Sequence, residues 1–158
     1  MSKILVCYYS RSGNTKKMAE LIAEGVKQEK MEVDLKDVED VNSDELLGYE
    51  GIILGSPTYY GACAAPIKEL IDESVKHHGD LDGKVGGAFT SSANIAGGNE
   101  TTIISMLQML MIHGMIVKGD PNGSHYGPVA VGMPDKSAEK ECIAYGRSIA
   151  RLTKKLFG

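Results

Sequence analysis

Apolar and polar positions fall in blocks along the chain, and each block has the period of one kind of element. Lys3-Ile4-Leu5-Val6-Cys7-Tyr8-Tyr9 is apolar and rich in β-branched and aromatic residues, which predicts a strand. Met18, Leu21, Ile22, Gly25 and Val26 then recur at helical spacing. Met31-Glu32-Val33-Asp34-Leu35 alternates, as a strand with one exposed face does, and the acidic stretch from Asp37 to Glu45 reads as solvated loop with a short helical turn. Gly51-Ile52-Ile53-Leu54-Gly55 is continuously apolar and suits a strand covered on both faces. Pro57 stops its pairing, and Pro66 fits an early helical position ahead of Ile67, Leu70 and Ile71.

Lys84 to Thr90 predicts a fourth strand, followed by a helix from about Glu100 to His113 with Gly114 as its C-cap. Met115-Ile116-Val117 makes a short fifth strand, and Pro128 to Val131 adds an edge segment. Ser137 opens a last helix whose stripe Cys142, Tyr145, Ile149, Leu152 and Leu156 faces the core. In the 100–113 helix the expected core stripe is Ile103, Leu107, Leu110 and Met111. Met106 and Met109 lie off it and suit either core filling or a subunit contact.

Strands alternating with helices predict one α/β domain over 1–158, a three-layer sandwich with a five-stranded parallel sheet in the order 2-1-3-4-5. The three unusual loops, 10–15, 56–61 and 91–98, follow strands 1, 3 and 4. They therefore share one rim, around the crevice where strand order reverses.

Composition narrows the classes rather than the fold. No apolar run reaches the roughly 20 residues needed to cross a bilayer, and no secretory leader is visible at Met1. A net charge of −4 argues against nucleic acid as a partner. Three scattered cysteines, Cys7, Cys63 and Cys142, suit reduced thiols in a cytoplasmic protein without membrane partners.

The rim loops carry the candidate chemistry. Ser10, Ser12 and Thr15 offer hydroxyls, Arg11 a charge, and Gly13 and Asn14 lead a strand into a helix whose first N–H groups lack internal partners. This arrangement suits one phosphate. No Gly-Lys-Ser/Thr ending points to a triphosphatase, and Gly-x-Gly-x-x-Gly is absent. Cys7 is not followed by the arginine of a phosphatase loop; Gly13 stands there. Pro57, Thr58, Tyr59, Tyr60 and Gly61 form a second wall, where a flat ring can stack on a tyrosine. Ser91, Ser92, Ala93, Asn94, Ile95, Ala96 and Gly97 form a third, small enough for backbone amides to reach a ring edge. A phosphate site, an aromatic wall and an amide-lined edge together describe flavin mononucleotide (FMN), with no metal and no protein nucleophile required. His125 stands beside the Tyr126-Gly127 turn, where it would edge the pocket, whereas His77 and His78 read as surface.

Ser10 to Thr15 resembles the phosphate loop of flavodoxin-like proteins. Gly55-Ser56-Pro57-Thr58-Tyr59-Tyr60-Gly61 resembles, more specifically, the tryptophan-repressor-binding-protein family of NAD(P)H:quinone oxidoreductases. So do Gly83-Lys84-Val85, Phe89-Thr90-Ser91, Gly97 to Ile103, His113-Gly114-Met115 and Tyr126-Gly127, and the similarity spans nearly the whole chain. The resemblance implies a flavodoxin-like fold, FMN contacts at 10–15, Thr58 to Tyr60, the 91–97 loop and His113, and electron transfer from NAD(P)H to quinones. It also implies a homo-oligomer, dimer or tetramer, in which neighbouring chains complete the flavin edge. Four departures touch the quinone and nicotinamide sites and leave the FMN site intact. The Asp37–Asp44 segment is short, and no tryptophan occurs in Lys76 to Asp82. The turn around Pro121 is abbreviated, and Ser12 stands where the family has tyrosine. They leave a second reading open, a flavodoxin that carries electrons between redox proteins, although the strong acidity of such carriers is missing.

Overall fold

A computed structural model describes residues 1–158. The strands are β1 (Lys3–Tyr8), β2 (Glu32–Asp37), β3 (Gly51–Pro57), β4 (Val85–Ser92), β5 (Ile116–Val117) and β6 (Val129–Val131). The helices are α1 (Asn14–Gln28), α2 (Ala65–Glu73), α3 (Asn99–Ile112) and α4 (Lys136–Phe157). The sheet is parallel throughout, in the order β2-β1-β3-β4-β5, with β6 also paired to β4. The predicted order is therefore the observed one.

The period of two along β1 divides the core. Ile4, Val6 and Tyr8 join the cluster under α1 and α4, while Leu5 and Cys7 join the one under α2 and α3. β3 and β4 are buried along almost their whole length, as continuous apolar runs require. β2 lies at the sheet edge, and its partial exposure matches its alternating sequence.

The expected short fifth strand and the expected edge segment both form. β5 pairs only with Val85 and Gly86, and β6 pairs with Thr90 to Ser92, so the two segments share one side of β4 with a gap between them. Tyr145 of α4 fills that gap: the Ala88 N–H donates to its hydroxyl at 3.0 Å. Gly127 closes the other half, because a Cβ there would stand 2.0 Å from the Ala88 carbonyl oxygen. Residues 118–128 loop out between the two half-strands and return beside the rim.

Side-chain outcomes differ from the sequence pattern at two helices. In α3, Met106 is fully buried and Met111 is 48% exposed: either would complete a helical stripe with Ile103, Leu107 and Leu110, and the face that α3 turns to the sheet takes in Met106. In α4 the N-cap is Asp135, which accepts from the Ala138 N–H at 2.8 Å, and Leu156 lies past the core and is exposed. Gly114 ends α3 as expected, with Gly114 N–H to Met111 O (2.9 Å) and Met115 N–H to Leu110 O (3.1 Å) forming a Schellman motif.

The helix pair α1 and α4 meets backbone to backbone. A Cβ on Gly25 would stand 2.1 Å from Ile143 O, and one on Gly146 would stand 2.0 Å from Ile22 O. This contact fixes the axis of α1, and so the direction in which its N-terminus points.

Candidate functional site

The carboxyl ends of β1, β3 and β4 bring the three predicted loops onto one rim, and hydrogen bonds tie them together. The Thr58 N–H donates to Ser91 O at 2.7 Å, and the Thr15 and Ser91 hydroxyls meet at 2.8 Å. Thr90 donates its hydroxyl proton to Ser56 O at 2.7 Å, so the Thr58 hydroxyl, 2.9 Å away, donates to Thr90. Thr90 lies in the Phe89-Thr90-Ser91 segment that carries the family resemblance, but the sequence assigns it no role in the site.

The first loop is built to receive an acceptor. Gly13 caps α1 in the left-handed region, φ 97°, and has no side chain of its own to close the helix end. The Ser10 hydroxyl oxygen accepts from the N–H groups of Gly13 (3.1 Å) and Lys16 (3.2 Å). The N–H groups of Ser12, Asn14 and Thr15 have no protein acceptor. Arg11 and Ser12 are exposed, while Thr15 is buried. Unpartnered amides at the positive end of a 15-residue helix, with inward hydroxyls beside them, fit a phosphate group.

The second loop is a tight hairpin. Tyr59 and Ala62 exchange N–H···O bonds of 2.9 and 3.1 Å, and both central residues have positive φ: Tyr60 at 51° and Gly61 at 76°. That is the type I′ pattern, which costs a tyrosine about 1 kcal/mol. Tyr60 projects fully into solvent. Tyr59 packs edge-on against Tyr9, with ring centroids 6.4 Å apart, and keeps 38% of its surface exposed. Ser56 braces the hairpin from below by accepting from the Ala64 N–H at 2.8 Å. Gly98, at the start of α3, approaches so closely that a Cβ would stand 2.8 Å from Gly61 Cα.

The third loop presents open amides. Ser92 donates to Asn94 O at 2.9 Å and accepts from the Asn99 amide at 2.6 Å, which pins both ends of the loop. Between them the N–H groups of Ala93, Asn94, Ile95 and Ala96 have no protein acceptor. Four free donors on an exposed strip suit the carbonyl-rich edge of a planar ring. Asn99 falls within the Gly97 to Ile103 segment that carries the resemblance, but an asparagine opening a helix is ordinary and gives no sign of this bracing role.

Beside this loop lies a cavity of about 690 Å³, walled by Ile95 and Ala96, the first turns of α3 at Glu100 and Thr101, and His125 and Tyr126 from the 118–128 loop. His125 therefore edges a pocket, as its sequence position implied. No residue of 10–15 or 57–61 lines this cavity, so it lies between the third loop, α3 and the 123–131 stretch, apart from the phosphate loop.

His113 is not on the rim. It caps the far end of α3, and a 14-residue helix carries it about 20 Å towards the opposite end of the sheet. There it is 5% exposed and bonded to Ser74 at 2.7 Å. Ser74 donates its own proton to Ile71 O at 2.6 Å, so His113 donates through Nε2 and its Nδ1 is a buried lone pair without a partner. Burial, followed by the nearby His78 and His77, holds its pKa below the ordinary value. Within one chain His113 and the three loops do not form one site. Helix length is the reason.

Cys7 and Cys142 are inert. Burial pushes both thiols up to about 12, so neither supplies a thiolate. His, Cys, Asp and Glu side chains form no cluster of three able to hold a metal ion. No helix is long and apolar enough to cross a membrane.

With this geometry in place, the chain was compared with known proteins. The Flavodoxin domain family matches residues 5–111. A protein named flavodoxin from Aquifex aeolicus is 43% identical over 159 residues, covering 95% of this chain and 86% of that one. A protein named NAD(P)H dehydrogenase (quinone) from Archaeoglobus fulgidus is 33% identical over 190 residues, covering 99% of this chain and 100% of that one. The solved structure of a WrbA-like flavodoxin from Agrobacterium tumefaciens superposes with a TM-score of 0.83 at 26% identity, covering 99% of both chains.

Proposed function

The chain belongs to the Flavodoxin domain family, and from that premise we propose that it binds FMN and passes electrons from NAD(P)H to quinone-like acceptors. The observation that carries the FMN reading is the convergence on one rim of two sets of unpartnered amides, Ser12, Asn14 and Thr15 on one side and Ala93 to Ala96 on the other. The first set, with the Ser10 and Thr15 hydroxyls, would hold the phosphate. The second would meet the ring's pyrimidine edge and favour negative charge there. Tyr59, half in solvent and braced by Tyr9, offers the ring a face. FMN, when bound, supplies the redox chemistry itself.

The reductase reading draws support from the cavity of about 690 Å³ beside the 93–96 amides, which is large enough for a nicotinamide or quinone ring next to the flavin edge. One observation favours a second reading, an electron carrier of flavodoxin type. A protein named flavodoxin from Clostridium saccharobutylicum aligns over 162 positions, covering 98% of this chain and 99% of that one, whereas the Archaeoglobus dehydrogenase requires 190. The segments absent here are those that the resemblance associates with substrate. We further read the protein as cytoplasmic, consistent with three free cysteines. We also read it as a homo-oligomer, because Met111 (48% exposed) and Ile112 (72% exposed) leave the last turn of α3 apolar towards solvent.

Anaerobic stopped-flow mixing of the FMN-loaded protein with NADH or NADPH, then with benzoquinone, separates the readings. Rapid bleaching by a nicotinamide and rapid reoxidation by quinone support the reductase. Failure of both nicotinamides, with ready reduction by dithionite, supports the carrier. A protein that takes up no FMN overturns both.

A further inference from the structure

Thr15 and Ser91 meet hydroxyl to hydroxyl at 2.8 Å, with residue exposures of only 1% and 5%. Neither hydroxyl has another protein partner. Such a contact uses one of the two protons and admits two arrangements. In one, Thr15 donates to Ser91 and has nothing left to give. In the other, Ser91 donates to Thr15, and the Thr15 O–H is free for a ligand beside the open N–H groups of Asn14 and Thr15.

The same loop shows this logic at Ser10. Its oxygen accepts from two N–H groups, at 3.1 and 3.2 Å, so its proton cannot be drawn back to either of them and stays available. Ser92 contrasts with both. Its proton goes to Asn94 O and its oxygen accepts from Asn99, so its hydroxyl is consumed by the loop itself.

Resting on the FMN reading above, we propose that Ser91 is a positioning residue: it donates to Thr15, commits the Thr15 proton to the phosphate, and thereby sets the preference for phosphorylated flavin over riboflavin. A phosphate oxygen only accepts, so occupancy selects the arrangement in which Ser91 is the first donor and Thr15 the second. Chained donors strengthen one another in a buried setting. Ser91 also opens the third loop, so phosphate recognition begins on β4 as well as on α1.

The test is titration of the apoprotein with FMN and with riboflavin, by flavin fluorescence, for wild type, Ser91→Ala, Thr15→Val and the double variant. The Ser91–Thr15 bond exists with and without flavin, so what Ser91→Ala removes on binding is the orientation and polarisation of the Thr15 donor to the phosphate; we expect FMN to weaken about fivefold and riboflavin to stay within about twofold. The double variant should be no worse than Thr15→Val, because the Ser91 proton acts only through Thr15. An unchanged ratio of FMN to riboflavin affinity in Ser91→Ala, or losses that multiply in the double variant, overturns the proposal. Ser91→Cys keeps the side-chain volume with a poor donor and should shift the ratio in the same direction, so a poorly folding alanine variant leaves the test intact. Wild-type protein that does not bind FMN defeats the underlying reading instead, and does so before any variant is compared.

Discussion

Replacing Tyr145 by Phe removes one oxygen atom and tests how the split sheet edge is held. The hydroxyl is the only acceptor for the Ala88 N–H, which lies in a fully buried strand where neither β5 nor β6 reaches. Phenylalanine keeps the ring's packing but leaves that N–H buried and unpaired. An orphaned buried donor costs roughly 1–3 kcal/mol, and the ring refills nearly all the volume, so we expect a loss of about 2 kcal/mol. For a chain of this length that corresponds to about 4–8 °C in Tm. Burial pushes the Tyr145 hydroxyl up to about 12, so it stays protonated and the loss should not vary between about pH 6 and 9. Urea unfolding followed by far-UV circular dichroism gives the value, with an unchanged m-value showing that the unfolded state is not altered. Hydrogen exchange at the Ala88 amide should accelerate in step. A loss below about 0.5 kcal/mol, with Ala88 exchange unaltered, would refute the reasoning and mean that another group closes the gap.

Two further outcomes rest on packing and on charge. Gly146→Ala drives a Cβ to within 2.0 Å of Ile22 O and forces α1 and α4 apart; we expect about 3 kcal/mol of destabilisation by urea titration, with weakened FMN binding in the surviving folded protein because α1 carries the phosphate loop. Wild-type-like stability would show that the helix contact is not as close as described. His113 has a pKa held low in the folded state, so the unfolded chain binds more protons and stability falls as pH drops below about 6.5. His113→Gln should flatten unfolding free energy between about pH 6.5 and 5, above the range where Asp34, Asp44 and Glu45, all held below their ordinary values, lose their own contributions. An acid slope that persists in this variant would assign the effect to other groups.

The legible part of the protein was the part governed by local period. β1, β3 and β4 announce themselves as apolar runs, and strand–helix alternation implies a parallel sheet whose order places 10–15, 56–61 and 91–98 on one rim. The structure places them there, joined through Ser91 to Thr58 and Thr15. What was not legible depended on partners distant in sequence. Met106 and Met111 have the same chemistry, and only the seating of α3 on β4 decides which is buried. Thr90 and Asn99 lie in segments that carry the resemblance, yet the Ser56 carbonyl and Ser92 hydroxyl that they brace are fixed only by the fold. His113 follows the rim helix in sequence yet sits at its other end, because an α-helix advances along its axis.

The amino-acid order alone determined the layers, the strand order and the chemical character of the loops, since these follow from hydrophobic period and from the positive end of a helix that opens on Gly13. Only the tertiary structure decided which donors remain free and which are consumed. Ser10, Ser91 and Ser92 are the same residue in three loop positions. One is oriented by two amides, one by a threonine across the crevice, and one is spent on its own loop. A hydroxyl has a single proton, and where that proton goes depends on neighbours that folding brings within about 3 Å.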